Sequence, residues 1–91
     1  MNIQKLSLYH YDSCPYCAYA RSAIKQLDVN VELRNIHQNS EHWKDLIANG
    51  GKAQVPCLLI EQEDGTSSWL YESEQIVSFL LDYTQHQEDV A

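Results

Sequence analysis

Two thiols separated by two residues, in Ser13-Cys14-Pro15-Tyr16-Cys17, are the part of this chain best suited to chemistry. They stand where an alternating apolar run turns into a helical pattern. Proline is favoured at the first helical position, where its missing amide proton would have gone unpaired. That makes Cys14 the helix N-cap. As a thiolate, its sulfur accepts from the free amides of Tyr16 and Cys17 and feels the positive end of the helix dipole. Lowering a cysteine from about 8.5 to about 7 takes roughly 2 kcal/mol, near the upper limit for a dipole, so the amide bonds must share the task. Cys17 lies inside the first turn, close enough to close a disulfide ring but without the same donors. The pair is therefore asymmetric: an accessible Cys14 sulfur that ionises readily and attacks, and a Cys17 that resolves.

The competing reading is half of a zinc site. Structural zinc needs four ligands, normally from a second C-x-x-C or a histidine pair. The only other cysteine is Cys57, and His10, His37, His42 and His86 are scattered. Asn39 and Ser40 read as a helix start between His37 and His42, so those two do not share a helical face. No metal is expected. With a strand before the helix, the pair reads as dithiol redox chemistry.

The elements that must position these thiols follow from periodicity. Lys5 to Tyr11 alternates, with Leu6, Leu8 and His10 on one side, and reads as a strand. Pro15 to Leu27 carries Cys17, Ala20, Ile24 and Leu27 at helical spacing, with Arg21 and Lys25 on another face. Val29, Val31 and Leu33 recur at period two within 28–36, a second strand, which completes a βαβ unit. Asn39 or Ser40 caps a second helix, with Trp43 as a core anchor beside Leu46 and Ile47, ending at Gly50-Gly51. Val55 to Ile60 and Ser67 to Tyr71 flank a turn at Asp64-Gly65 and read as a hairpin. Ser73 caps a last helix from Glu74 to about Thr84, with Ile76, Val77, Leu80, Leu81 and Tyr83 as its buried stripe. The expectation is one α/β domain over 1–84, a mixed four-stranded sheet with three helices in the order βαβ-αββα, and a polar, flexible tail over 85–91.

Ninety-one residues suffice for one core. Thirteen acids against six Lys and Arg give a formal charge of −7, which argues against nucleic acid or an anionic membrane as partner. No apolar run is long enough to span a bilayer, and the first residues lack a signal-peptide apolar region. A cytoplasmic protein is expected, in a compartment that keeps thiols reduced. Arg21, Lys25 and Lys52 are the bases that fall in segments able to border the thiols.

Two more segments carry meaning. Gln54-Val55-Pro56 heads a strand with a proline, which need not donate to the ladder there. A cis Val55-Pro56 bond would leave the Val55 amide and carbonyl free for an extended peptide, but the sequence leaves the isomer open. Tyr71-Glu72-Ser73-Glu74 opens the last helix, whose free amides can take a ligand carboxylate while a Glu takes an ammonium. A capped helix with acids suited to its dipole explains the same residues.

Together Cys14-Pro15-Tyr16-Cys17, Gln54-Val55-Pro56 and the Glu72-Ser73-Glu74 helix start resemble the dithiol glutaredoxins over nearly the whole chain, to about Tyr83. The Glu72-Ser73 pair also looks like the γ-glutamyl site of the related N-terminal domain of glutathione transferases, although a helical second domain is not expected here. The resemblance implies a thioredoxin-like fold and glutathione as co-substrate. It further implies catalytic Cys14 and Cys17 supported by Pro15, Tyr16 and a cis Pro56. Glutathione would then be bound by Tyr11, Gln54, Val55, Glu72, Ser73 and Glu74. Many glutaredoxins carry Lys where Tyr11 stands, which leaves Lys52, Gln54 or Arg21 as candidates for the glycine carboxylate. The usual Gly-Gly or Gly-Cys is replaced by Glu72-Ser73, so either Glu72 or Glu74 would meet the ammonium. Cys57, beside Pro56, reads as a small core hydrophobe rather than a third redox thiol.

The implied activity is glutathione-dependent reduction of protein-glutathione mixed disulfides and protein disulfides, an electron-transport role in cell redox homeostasis carried out by a monomer. Two alternatives are a [2Fe-2S] cluster held by two chains through Cys14 and glutathione, and an electron donor fed by thioredoxin reductase.

Overall fold

The computed structural model describes the main chain of residues 3–90 and the side chains of residues 3–85. The chain runs β1 (Ile3–His10), α1 (Pro15–Leu27), β2 (Glu32–Asn35), α2 (Ser40–Asp45), a π-helical turn (Leu46–Gly50), β3 (Cys57–Gln62), β4 (Ser67–Leu70) and α3 (Ser73–Val90). The strands form one sheet in the order β2-β1-β3-β4. β1 and β2 are parallel, and the other two pairings are antiparallel. This is the expected mixed four-stranded sheet with three helices.

β1 is a central strand covered on both faces, so Leu6 through His10 are all buried and its alternation serves two cores. Leu6 and Leu8 join Ala20, Leu58, Ile60, Ile76 and Leu80 under α1 and α3. Tyr9 joins Ile36, Leu46, Cys57 and Leu59 on the face covered by α2. The C-terminal end of β1 is thereby fixed, and the thiol loop springs from it.

α1 has the bounds its sequence predicts. Cys14 caps it, Pro15 opens it, and Asp28 closes it in the left-handed region at φ 55°, donating its amide to the Ile24 and Lys25 carbonyls. That closure, with the Val29 amide bonded to the Ile24 carbonyl at 3.2 Å, consumes residues expected in the second strand. β2 therefore has four residues, and Leu33, on the sheet edge, is 50% exposed. Val29 and Val31 still pack against the first core from outside the strand.

Further expectations are corrected, and Asn39 is settled as the cap of the second helix. Trp43 is not a core anchor: it is 37% exposed, as Ile47 also is in large part, and Leu46 alone of that stripe is buried. The helix there gives way to a π turn, in which the Gly51 amide reaches the Leu46 and Ile47 carbonyls, and the wider turn breaks the three-four repeat. Asn39 is the cap of α2, its side chain accepting from the Glu41 amide. The last helix begins at Ser73, with the Ile76 amide bonded to the Glu72 carbonyl, so Glu72 and not Ser73 holds the cap position. Leu81 is outward and exposed. The same helix continues past Thr84 to Val90, while the side chains of 86–90 and all of residue 91, where the flexible tail is expected, lie outside the described residues.

Asp64 and Gly65 make the hairpin turn as expected, Gly65 at φ 92° and the Asp64 carboxylate accepting from the Thr66 amide at 2.9 Å.

Candidate active site

Cys14 has extended backbone, φ −80° and ψ 118°, and its sulfur accepts from the Cys17 amide at 3.3 Å. The Cys14 carbonyl takes the Ala18 amide at 3.0 Å, starting the helix. Burial by itself pushes the Cys14 thiol up. Bonds from the Cys17 thiol, the Cys17 and Tyr16 amides and the Tyr11 hydroxyl more than offset it, and the net direction is down. Cys17 goes the other way, to about 12, first because it is buried and then because its proton is bonded to the Cys14 sulfur. The asymmetry read from the sequence is thus present, but the exposed sulfur is not: Cys14 is only 5% exposed and Cys17 fully buried. The capping bond that favours the anion also draws its sulfur against the first turn.

The loop that delivers Cys14 is tied to α1 and β1. The Tyr11 carbonyl accepts from the Cys14 amide at 3.4 Å and from the Arg21 guanidinium at 3.2 Å. Arg21 also donates to the Asp12 carbonyl at 3.3 Å and meets the His10 imidazole at 3.1 Å. The buried His10 is held below its ordinary value by desolvation and then by the Arg21 charge, so it is the neutral acceptor in this pair. The Tyr11 ring stacks on His37, centroids 4.5 Å apart, and its hydroxyl is held above its ordinary value, chiefly by the Cys14 charge.

The second segment packs beside the first. The Val55-Pro56 bond is cis. Pro56 is buried, and neither main-chain group of Val55 is hydrogen-bonded among the described residues. Gln54 donates from its side chain to the Tyr71 carbonyl at 3.4 Å, and the Lys52 amide donates to the Tyr71 hydroxyl at 3.3 Å. Lys52 extends its ammonium over the Tyr71 ring, 5.3 Å from the centroid.

A groove of about 600 Å³ brings together Tyr16, Gln54, Val55 and Pro56 with Glu72, Ser73 and Glu74. Its far wall is the start of α3, whose first amides have no helical partner. Tyr11 lies apart from these, in a second groove of about 600 Å³ with His37 and Trp43. The two grooves meet along Gln54 and Val55, which line both. Of the three candidates for a glycine carboxylate, Arg21 is already occupied by the thiol loop, leaving Lys52 and Gln54. Cys57 faces the core, fully buried, its thiol pushed up to about 12 by desolvation.

Sequence reasoning missed Tyr71, His37 and the outward Trp43. Tyr71 is marked only by its place before the helix start, and nothing in the local pattern distinguishes an outward Trp43 from an inward one. Among the described residues, no three His, Cys, Asp or Glu side chains are grouped so as to hold a metal ion. No described helix is long and apolar enough to cross a membrane.

Residues 8–87 match the profile described as glutathione S-transferase, N-terminal domain. The chain belongs to that family. Its solved neighbours agree on the fold. Glutathione transferase Omega 2C from Trametes versicolor is 24% identical with a TM-score of 0.70, covering 91% of this chain and 40% of its own. Maleylacetoacetate isomerase from Anaeromyxobacter dehalogenans, solved with bound dicarboxyethyl glutathione and citrate, is 23% identical with a TM-score of 0.69, covering 92% of this chain and 38% of its own. A thioredoxin-like protein is 20% identical with a TM-score of 0.66, covering 84% of this chain and 99% of its own. The chain thus spans about two fifths of the transferases it superposes on and nearly the whole of the thioredoxin-like protein. No curated protein matches it. The fold of this transferase N-terminal-type domain is thioredoxin-like, and its family is the one the Glu72-Ser73 pair resembles.

Proposed function

We propose that this domain is a glutathione-dependent thiol-disulfide oxidoreductase of the dithiol glutaredoxin kind, acting as a monomer in a reducing, cytoplasmic setting. The observation that carries the reading is the opposed pair of thiols: Cys14, capped by the Cys17 amide, is pushed down while Cys17 is pushed up to about 12. The family membership and the transferase-like neighbours support glutathione as the co-substrate. The groove supplies the rest. The Val55 main chain is open to the cysteinyl part of glutathione, Ser73 and the following amide to the γ-glutamyl carboxylate, and Glu72 or Glu74 to its ammonium.

In the reaction, the Cys14 thiolate attacks the glutathione sulfur of a protein-glutathione disulfide. The Cys14-glutathione bond forms, the protein-glutathione bond breaks, and the protein thiolate leaves with the electron pair and takes up a proton. A second glutathione thiolate then attacks the bound glutathione sulfur, releasing Cys14 as thiolate and oxidised glutathione. With a protein disulfide, Cys14 first forms a mixed disulfide with one substrate sulfur. Cys17 then attacks the Cys14 sulfur and expels that thiolate, and two glutathiones reduce the resulting Cys14-Cys17 bond.

The state of Cys14 times the second step. While Cys14 is an anion, it holds the Cys17 proton by hydrogen bond and by charge. Once Cys14 is in a disulfide, both effects vanish, and Cys17 becomes easier to ionise at the moment it is needed.

The test is turnover of a small glutathionylated thiol with glutathione, glutathione reductase and NADPH. Cys14→Ser is expected to abolish it and Cys17→Ser to retain it, while reduction of a protein disulfide is lost in both. Equal loss of deglutathionylation in the two variants would contradict the assignment.

A further inference from the structure

Arg21 is not used by the steps above, yet it is the most constrained cation near the thiols. It lies one helical turn after Cys17, at the border of the apolar stripe of α1 and within reach of Cys17 as its i+4 neighbour. Its guanidinium meets three acceptors fanned around it: the His10 imidazole at 3.1 Å, the Tyr11 carbonyl at 3.2 Å and the Asp12 carbonyl at 3.3 Å. An ordinary surface arginine spends its charge on a carboxylate. No ion pair to Arg21 occurs among the described residues, and its partners are a neutral imidazole and two main-chain oxygens. Its positive charge is therefore fixed in place and not cancelled.

We infer that Arg21 is the positioning residue of the resolving step, holding the Tyr11-Asp12 loop against α1 and setting an uncancelled cation beside Cys17. The loop matters because the Tyr11 main chain serves both thiols. Its carbonyl takes the Cys14 amide, and its amide faces the Cys17 sulfur and favours that anion. The groups bearing on Cys17 are Cys14, the Tyr11 main chain and Arg21, while on the other side of Arg21 the His10 imidazole from β1 feels both the Arg21 and the Asp12 charge and the Asp12 carboxylate is engaged by the Asn35 amide. Burial opposes Cys17 ionisation, and the Arg21 charge is a counterweight that persists after Cys14 has become neutral in the mixed disulfide. In that step the Cys17 sulfur gives its proton to the departing substrate thiolate, forms the bond to Cys14 and breaks the bond from Cys14 to the substrate.

This inference rests on Cys17 being the resolving thiol, so its test separates the two claims. Cys14→Ser serves as the background, because a neutral residue 14 imitates the mixed disulfide. Ionisation of Cys17 is followed against pH by the 13Cβ chemical shift of the labelled residue, which needs no reagent to reach the buried sulfur. Adding Arg21→Gln is expected to move the Cys17 midpoint up by about one pH unit, the scale of one nearby opposite charge. Arg21→Lys, which keeps the charge but not the fork, is expected to stay within about a third of that shift. Cys57 reports folding in the same spectra, since its resonance keeps its native position only while the domain stays closed around it. If Arg21→Gln opens the domain, Arg21→Lys decides: a midpoint raised by the full unit in a closed domain overturns the inference, as does an unmoved midpoint in closed Arg21→Gln. In the dithiol protein, Arg21→Gln should also lower protein-disulfide turnover about tenfold relative to turnover of the glutathionylated thiol. This titration needs no turnover, so an inactive wild type with a shifted Cys17 midpoint would refute the redox reading alone.

Discussion

At the scale of single residues, three buried acids among the described residues are held in their neutral forms. Cys17, Cys57 and Tyr9 are each pushed up to about 12, in every case first by desolvation. An acid whose value is raised on folding binds its proton more tightly in the native state. Its contribution to stability is whole below its unfolded value and is lost as pH climbs towards its folded one. For Cys57 that window runs from about 9 to about 12. Within it, each such group costs about 1.4 kcal/mol per pH unit. Cys57→Ala should therefore flatten the fall in urea-unfolding free energy between about pH 9 and pH 11, measured with reductant present. The comparison is of slopes, because the cavity left by the missing sulfur lowers stability at every pH. Parallel slopes for the two proteins would show that Cys57 is already ionised or already wet in the folded state. Its placement was legible, since a free cysteine in an apolar run is usually core. Tyr9 was not: its hydroxyl donates to Asp45 and accepts from Arg34 at 2.5 Å, partners thirty-six and twenty-five positions away that no local pattern joins.

At the scale of elements, that Tyr9 contact explains how a short helix with little core of its own stays in place. Asp45 ends α2, and Asn49 within the π turn bonds back to it. The turn closes at Gly50-Gly51, where Gly51 takes φ 90°. Gly50 is needed for a different reason: a Cβ there would run into the Tyr71 hydroxyl and stand 2.9 Å from Trp69 Cε3. Tyr71 also receives the Lys52 amide and the Gln54 side chain, so Gly50 lets the end of one element pack on the support of the glutathione groove. Gly50→Ala is expected to cost about 1–3 kcal/mol, the usual range for overpacking, read from chemical denaturation. A change below about 0.5 kcal/mol would mean that the two rings shift freely and do not brace the loop. The helix bounds show what sequence can reveal about elements. α1 was readable to the residue because its cap, its proline and its last apolar position all lie within one local stretch. The second strand and the outward Trp43 were misjudged because a left-handed closure at Asp28 and a π turn at Leu46 alter the phase of the apolar pattern. Neither has a composition of its own.

At the scale of the whole molecule, the groove exists only because the sheet gathers segments that are far apart in sequence. Tyr16 from the first turn of α1, Val55 and Pro56 before β3, and Ser73 and Glu74 from the start of α3 meet across the ends of β1 and β3. The three motifs were legible one by one. Their convergence on one groove, with Tyr11 in its neighbour, follows from strand order, and periodicity alone does not fix which end of a sheet two loops share. Glutathione bound there should grip the native state and not the unfolded chain, so binding must appear as stability. At ten times its dissociation constant, a ligand adds about 1.4 kcal/mol. For a domain of this size, each kcal/mol raises the melting temperature by about 4–8 °C. S-methylglutathione, which cannot exchange with Cys14, is therefore expected to raise the melting temperature by several degrees at that ratio. The α-linked tripeptide Glu-Cys-Gly, S-methylated in the same way, presents its carboxylate and ammonium with a different spacing and should raise it much less. Ser73→Ala with Glu74→Ala should remove most of the difference between the two peptides while leaving the unliganded melting temperature within about 2 °C, since both side chains are free of internal hydrogen bonds among the described residues. Equal shifts from both peptides in the wild type would mean that the start of α3 reads no γ-glutamyl group.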